Sequence, residues 1–284
     1  YRFFRWDEGR VLVLHRHPGY YEAGLPYTDA LYVRFISSKL SAFAELVNGR
    51  LDFIEGLDPL MRDEVLTPGG ALQPRYARKL QVLLMPQLTT EYLGMRPEHA
   101  PALADRRVRQ ALNLAIDRQK LTRYILHGLA EQATGGVIPK GMPGFDAQAA
   151  PGYPYDPVRA RRLLAEAGYP DGKGLPPLVL HSNPSHQQVS EFLQHALAQV
   201  GVQLKVEQTE GATLRKLVYN GQAALWRASW VADYPDGENF LSLFYSGHFS
   251  PDGPNTTHFA HPAVDSLYRL AAGAPTDSAR FACY

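Results

Sequence analysis

Three carboxylates lie in a short stretch that follows an aromatic, strand-like run ending at Trp230. Asp233, Asp236 and Glu238 are separated there by turn-forming residues. A carboxylate at the end of a buried strand can pair with a cationic group of a ligand, whereas acids among turn formers also cap helices. For Asp236 and Glu238 we favour the turn interpretation, with Asp236 capping a helix over 237–245. For Asp233 both interpretations stay open, and the oxygen spacing does not match an EF-hand calcium loop.

A basic residue lies inside the same strand-like run. Arg227 stands three residues before Trp230, and an arginine is rarely buried unless it is paired. One interpretation is that Arg227 holds a ligand carboxylate through a bidentate contact. The other, which we favour by default, is a structural ion pair with a nearby acid.

The composition argues against several other chemistries. A formal net charge of +1 over 284 residues gives no field that would recruit nucleic acid. The one cysteine, Cys283, cannot form an internal disulfide or a cysteine-based zinc site. The ten histidines come without the other ligands of a metal site, and HExxH, GxSxG, P-loop and GxGxxG motifs are missing. We therefore predict no metal, no cofactor, no nucleic-acid partner and no catalytic activity.

The elements around the carboxylates predict an open α/β sheet. Leu178–His181 has the pattern of a strand, Ser185–Val200 that of an amphipathic helix, and Val202–Val206 that of a second strand. This order and length predict a right-handed βαβ unit with parallel strands, and Ala223–Val231 predicts a further strand. Such sheets bind ligands beyond the carboxyl ends of their strands. The residues just after Val231 therefore occupy the position where a ligand is expected.

The rest of the chain also predicts a mixed α/β protein of two domains or lobes. We expect a hairpin near the start, a third strand, a helix capped by Ser41, two short strand candidates and three helices that begin at aspartates. Their positions are Tyr1–Trp6 with Arg10–Leu14, Leu31–Ile36, Ser41–Asn48, Leu51–Ile54, Leu80–Met85, and the helix starts at Asp105, Asp117 and Asp156.

Eight segments that run in order along the chain carry a family pattern. They are Tyr1–Gly9, Glu45–Asp52, Thr90–Gly94, Asp105–Arg118, Ile138–Gly144, Tyr155–Pro157, Leu164–Gly172 and Trp230–Asp236. Together they resemble the family 5 extracellular solute-binding proteins, the oligopeptide-, dipeptide- and nickel-binding receptors of bacterial ABC importers. Any one segment is common, but eight in the same order are specific to the family.

The resemblance implies an α/β fold of the periplasmic-binding-protein type, a two-lobed clamshell that closes on a ligand. Residues 1–88 would form the later part of the first lobe, 89–96 the hinge crossing and 97–284 the second lobe. The family chain is longer at both ends, and this sequence opens within a strand-like pattern and stops equally abruptly. We therefore expect a fragment whose second lobe is largely present and whose export signal lies upstream.

The resemblance also implies a function and a set of ligand-binding residues. In peptide-binding members the aspartate of the Trp-x-Ala-Asp pattern pairs with the peptide α-ammonium, and here it falls on Asp233. An arginine three residues before that tryptophan meets a ligand carboxylate, which implies this role for Arg227. Trp230, Tyr234 and Tyr92 lie in the matching motifs and are expected to line the same site. The implied protein is an extracytoplasmic monomer, either free in the periplasm or held at the cell surface by a lipid anchor, that passes oligopeptides or dipeptides to an ABC permease.

Two departures from the family and three alternatives stay open. Gly237 stands where many members have proline, and Met95-Arg96 replaces the usual Phe-Asn at the hinge crossing, which leaves the cleft contacts there open. The family also contains nickel, sugar and opine binders. The same fold occurs as the ligand-sensing domain of transcriptional regulators, and a hydrolase would need an activated nucleophile or paired carboxylates in the cleft.

Overall fold

The chain folds into two units, Tyr1–Leu84 and Met85–Tyr284, each with its own sheet. A computed structural model describes residues 1–85, 87–133 and 135–284. The strands are β1 (Arg2–Asp7), β2 (Val11–His15), β3 (Ala30–Arg34), β4 (Thr89–Met95), β5 (Leu178–Ser182), β6 (Leu204–Gln208) and β7 (Leu225–Val231). The mixed α/β character that the sequence predicts is present in both units.

Helices accompany both sheets. The α-helices are α1 (Lys39–Val47), α2 (Arg62–Val65), α3 (Pro74–Ala77), α4 (Arg106–Leu114), α5 (Arg118–Lys120), α6 (Pro157–Glu166), α7 (Gln187–Ala198), α8 (Gly211–Tyr219), α9 (Glu238–Leu241), α10 (Pro262–Ala272) and α11 (Asp277–Phe281). A π-helical turn, Leu121–Ile125, follows α5. Across the described ranges, none of these helices is both long and apolar enough to cross a lipid bilayer.

The first unit is built on an antiparallel sheet in the order β1-β2-β3. The predicted hairpin is present, and Gly9 makes its turn at φ +67°, a conformation that favours glycine. The hydrophobic core of this unit is small and centres on Phe43, Val65 and Leu66. The aromatic side chains of β1 remain largely exposed, with Trp6 at 61%.

Two details of the first unit differ from the sequence-based prediction. Helix α1 begins after Ser38, whose Oγ accepts a hydrogen bond from the Ser41 backbone N at 3.2 Å, so Ser38 and not Ser41 is the cap. The runs Leu51–Ile54 and Leu80–Met85 are not strands. A short apolar run becomes a strand only when a neighbouring strand satisfies its backbone hydrogen bonds, and the described residues provide no such neighbour.

The second unit has a four-stranded sheet in the order β4-β7-β5-β6. Strands β5 and β6 pair in parallel around α7, which confirms the predicted βαβ unit. Strand β7 pairs in parallel with β5 and antiparallel with β4. The carboxyl ends of β5, β6 and β7 therefore meet at one edge of the sheet, and the loop after Val231 lies there.

Both faces of this sheet are covered. The main core lies on one face, where α4, α6 and α7 pack on Leu180 and Leu225, which are 0% and 1% exposed. On the other face α8 packs on Trp226, which is 2% exposed. The predicted helix starts at Asp105, Asp117 and Asp156 are confirmed, because each side chain accepts a hydrogen bond from the first turn of its helix. Strand β7 is thus fixed from both sides before the chain turns into the loop.

Candidate functional site

Strand β7 carries most of the predicted site residues, and its pleat divides them between two faces. Successive side chains of a strand point to opposite sides, so Trp230 shares a face with Trp226 and Arg227 faces the other way. Leu225 and Trp226 are buried, whereas Asp233 and Tyr234 beyond the strand are exposed. Strand β7 therefore fixes the start of the loop, and the Asp233 carboxylate lies at the surface of the second unit.

A buried amide connects Trp230 with Asp233. Asn239, which is 4% exposed, accepts a hydrogen bond from the indole Nε1 of Trp230 at 2.7 Å through its Oδ1. The same oxygen accepts from the backbone N of Asp233 at 3.4 Å. The Asn239 Nδ2 donates to Asp233 Oδ2 at 3.5 Å, a long contact. Asn239 thus brings the two predicted residues together, and the sequence-based prediction missed it.

The Asp233 carboxylate has no cationic partner among the described residues. Within the described ranges, the one hydrogen bond of its side chain is the long one from Asn239, and the residue is exposed. An exposed carboxylate that the protein holds only through a neutral amide keeps most of its acceptor capacity. The arrangement leaves Asp233 able to accept hydrogen bonds from a cationic group in solution.

The neighbouring Asp236 has a different environment. Its Oδ1 accepts from the backbone N of Glu238 at 2.9 Å and from the Tyr284 hydroxyl. Its Oδ2 pairs with Arg280 Nη2 at 2.9 Å. The turn interpretation is supported, but the predicted helix over 237–245 is not present as such: α9 spans Glu238–Leu241 with Gly237 at its cap position, and a 3₁₀ turn, Ser242–Phe244, follows.

Glu238 is also engaged inside the protein. Its two carboxylate oxygens accept hydrogen bonds from the hydroxyls of Tyr234 and Tyr268. Burial raises the pKa of Tyr268, and the hydrogen bond to Glu238 adds to the shift, so the phenol stays a neutral donor. Tyr234 was predicted to line the ligand site. Its hydroxyl is turned to Glu238 and its ring remains 48% exposed.

Arg227 forms an ion pair with Glu91 of β4, on the face opposite to Trp230. The Arg227 side chain is 13% exposed and that of Glu91 is 51% exposed. Burial lowers the pKa of Arg227 and raises that of Glu91, and in each case the partner's charge opposes the shift. The structure therefore shows the structural ion pair that the sequence favoured by default, and it does not bring Arg227 together with Asp233.

Tyr92 lies on β4 directly opposite Ala228, on the same face as Trp230. Burial raises the pKa of its hydroxyl to about 12, and the nearby Tyr219 and Glu91 contribute to the increase. The phenol is therefore a neutral hydrogen-bond donor at physiological pH. Of the predicted ligand-binding residues, Trp230 and Asp233 are linked through Asn239. Tyr92 lies on the same face of the sheet as Trp230, and Arg227 lies on the opposite face.

Of the three residues that depart from the family pattern, Arg96 and Gly237 are buried and Met95 is partly buried. Arg96 donates to Glu98 Oε2 at 3.1 Å and to His258 Nδ1 at 2.9 Å, so its guanidinium is occupied within the second unit. Gly237 lies under the ring of Tyr284, and a methyl group placed there would come within 2.9 Å of that ring. Position 237 thus affects packing beyond its own loop. Among the described residues no group of three or more metal-ligating side chains is present.

Comparison with known proteins shows which proteins this sequence resembles. The sequence matches the family model described as bacterial extracellular solute-binding proteins, family 5 middle, over residues 1–251. The glutathione-binding protein GsiB of Salmonella typhimurium is 30% identical over 283 residues, which cover 98% of this chain and 52% of GsiB. GsiB of Pectobacterium atrosepticum is 30% identical over 272 residues, 94% of this chain and 50% of that protein. The chain spans about half the length of the curated relatives it matches.

Solved structures share the fold over almost the whole chain. The murein tripeptide binding protein MppA of Escherichia coli matches with a TM-score of 0.83 and 27% identity, covering 99% of this chain and 54% of MppA. The periplasmic binding protein DppA of Helicobacter pylori, in complex with the peptide STSA, has a TM-score of 0.83, 22% identity and coverage of 99% and 52%. These are two-lobed periplasmic binding proteins, and the predicted α/β fold class is confirmed.

Proposed function

The chain belongs to the family 5 bacterial extracellular solute-binding proteins, and from this we propose that the full-length protein captures a short peptide outside the cytoplasm and delivers it to the permease of an ABC importer. In this proposal the protein is a receptor and not an enzyme. The relatives named for glutathione and for a murein tripeptide favour a short peptide as ligand.

The observation that carries the proposal is the state of Asp233. Three acids lie within six residues of one loop, yet Asp236 has a guanidinium partner and Glu238 two phenol partners. Of the three acids, Asp233 is the exposed one, and among the described residues its side chain is held by the amide of Asn239 alone. We propose that this carboxylate receives the α-ammonium of the peptide.

The physical chemistry of such a contact suits a peptide receptor. A charge-assisted hydrogen bond between ammonium and carboxylate is short and roughly twice as strong as a neutral one. It recognises the amino terminus, which peptides share, and not their side chains. Main-chain hydrogen bonds to an extended peptide are equally independent of sequence, and water can fill loose side-chain pockets. We therefore propose a broad specificity for short peptides with a free amino terminus.

The surroundings of the other predicted site residues support a ligand-binding role to different degrees. Trp230 and Tyr234 flank Asp233 and offer aromatic surface beside it, with Tyr92 on the same face of the sheet as Trp230. A ligand carboxylate that reaches Arg227 would have to compete with Glu91, its present partner. We propose lobes at 1–88 and 97–284, with the crossing at 89–96.

Native mass spectrometry of the full-length protein, with ligand carried through a gentle purification, tests the proposed function. Short peptides that co-purify and dissociate on activation in the gas phase would support it. A bound metal chelate, sugar or opine in their place would contradict the peptide assignment while leaving the family unchanged. The same spectra report the oligomeric state, for which we propose a monomer.

A further inference from the structure

The loop that carries Asp233 is fastened to a helix far away in the sequence. Both oxygens of the Asp236 carboxylate have partners, and two of these partners, Arg280 and Tyr284, come from α11 and the residues after it. The Tyr284 contact spans 48 residues of sequence. Because Asp236 lies only three positions after Asp233, this contact fixes the loop close to the proposed binding carboxylate.

The Asp236–Arg280 ion pair is partly shielded from water. The two side chains are 19% and 32% exposed, with an N–O distance of 2.9 Å. By contrast, the exposed pair of Lys140 and Glu131 has side chains 72% and 75% exposed. Exposed pairs contribute little because water and salt screen them. A shielded pair whose carboxylate also accepts two further hydrogen bonds holds its geometry more firmly.

Packing supports the same contact. The ring of Tyr284 lies against Gly237, where a methyl group would approach it to 2.9–3.1 Å. Contacts at that distance force a neighbour to move, so glycine at 237 leaves the room that the ring occupies. Burial raises the pKa of the Tyr284 hydroxyl and the hydrogen bond to Asp236 raises it further, which keeps it a neutral donor.

Asp233 depends on such support because its own contacts are weak. On the strand side, Ala232 N donates to Leu88 O at 2.9 Å and continues the pairing of β7. In the part of the chain that the structure describes, the side chain of Asp233 has a single hydrogen bond, the 3.5 Å contact from Asn239. Its position is therefore determined by the backbone on either side, which β7 fixes before it and Asp236 fixes after it.

We propose that Arg280 and Tyr284 are positioning residues, which hold Asp236 and thereby preorganise Asp233 for the ligand ammonium. The inference rests on the proposed function and adds a residue pair that acts on the ligand without touching it. A loop ordered in the free protein does not incur the entropic cost of ordering when the ligand binds. Without the contact to α11, the loop would have to become ordered when the ligand binds, which would lower the affinity.

The test measures the affinity of the full-length protein for trialanine and for N-acetyl-trialanine, which lacks the ammonium. We expect Arg280→Ala to weaken trialanine binding about tenfold, within the range of coupling between neighbouring residues, and to leave the acetylated peptide unaffected. Arg280→Lys should restore part of the loss, because it keeps a charge near Asp236. Arg269→Ala, which removes an exposed arginine of α10, serves as the matched control and should change neither affinity.

A double-mutant cycle with Asp233→Asn separates positioning from general destabilisation. If Arg280 acts through Asp233, Arg280→Ala has no further effect on trialanine affinity once Asp233 is asparagine. An additive effect, or an equal loss for both peptides, would overturn the inference. Should Arg280→Ala not fold, Tyr284→Phe removes only one hydroxyl and is judged by the same two criteria.

The two proposals fail in different ways. If Asp233→Asn leaves trialanine affinity unchanged, the ammonium contact is wrong and the positioning role is refuted with it. If Asp233→Asn weakens binding while the Arg280 and Tyr284 variants bind like the unchanged protein, only the positioning inference is wrong.

Discussion

At the scale of single residues, the loop after β7 shows how neighbouring carboxylates acquire different roles. Asp236 and Glu238 are occupied by groups of the protein itself, and Asp233 is not. The residue types are nearly identical, so the difference comes from what the fold brings to each oxygen. A carboxylate that has an internal cation or two internal phenols stabilises the fold, and one that keeps its acceptor sites is available to a ligand.

The role of Asp233 can be tested by removing its charge in the full-length protein. We expect Asp233→Asn to weaken trialanine binding by on the order of 2–5 kcal/mol, the scale for breaking a hydrogen-bonded charge pair in a closed site. Isothermal titration calorimetry measures this loss. N-acetyl-trialanine should bind both proteins alike, and Asp252→Asn, an exposed acid in another loop, should have no effect. An unchanged affinity for trialanine would refute the ammonium role.

We expect Asn239 to stabilise the fold as well as to link Trp230 with Asp233. In Asn239→Ala the Trp230 indole N–H loses its 2.7 Å acceptor. An unsatisfied buried donor costs about 1–3 kcal/mol, so we expect the free energy of unfolding to fall by about that amount in chemical denaturation. Asn220→Ala, which removes an exposed amide at the end of α8, is the control. A loss no larger than that of the control would show that water replaces Asn239 at the indole.

Residue-scale features differ in how far the sequence predicts them. Asp233 can be singled out, because it follows a strand whose apolar, aromatic pattern is local. The distant partners of the other two acids cannot be predicted in this way. Tyr284 lies 48 residues after Asp236 and Tyr268 lies 30 residues after Glu238, and no local spacing pattern connects these pairs. Asn239 lies in the predicted loop, but its residue type is equally typical of a turn, and only burial shows that its amide bridges two site residues.

At the scale of elements, β7 links the core to the site. Its register with β4 places Gly94 opposite Trp226, and the indole lies over the glycine. A glycine inside a strand weakens it unless another group makes a close approach, and here the indole does. The pairing of β4 with β7 therefore depends on a missing side chain at position 94, which lets the buried ring pack flat on the neighbouring strand.

A methyl group at position 94 should disturb this contact. Because the Cβ of Gly94→Ala would overlap the Trp226 ring, we expect a loss of about 1–3 kcal/mol in the free energy of unfolding, the usual cost of overpacking. Gly273→Ala is a suitable control, since a Cβ there would lie 3.8 Å from its nearest neighbour. Thermal unfolding of both variants compares the two positions. Equal melting temperatures would mean that β4 shifts to accommodate the methyl group at little cost.

The elements were the most predictable part of the fold, and their exceptions have a physical cause. The unit of β5, α7 and β6 was predicted from periodicity alone, because all of its signals lie within one stretch of chain. Leu80–Met85 has an equally apolar pattern and is not a strand. Periodicity reports which side chains prefer to be buried. Whether a backbone forms a strand depends on a neighbour that the local sequence does not contain.

At the scale of the whole molecule, the two units differ in how much apolar surface they bury. The main cluster of the second unit collects side chains from strands β5, β6 and β7, from helices α4, α6 and α7, and from Leu103. The first unit has a smaller cluster, and its strand β1 leaves Phe3, Phe4 and Trp6 between 59% and 66% exposed. Burial is the main source of stability in folding, so the stability should be distributed unevenly when these 284 residues are studied on their own.

Amide hydrogen exchange followed by mass spectrometry measures this distribution. We expect the slowest exchange in peptides that cover β5 and β7, because both strands are internal to their sheet and lie between covered faces. Peptides from β1, an exposed edge strand, should exchange much faster. Strand β6 is also an edge strand, but its Leu204 is only 2% exposed. Comparing peptides from β6 and β1 therefore separates the effect of edge position from that of exposure. Equally slow amide exchange in β1 and β7 would show that burial does not determine local stability in these two units. If instead β6 exchanged as fast as β1, edge position alone would account for the difference.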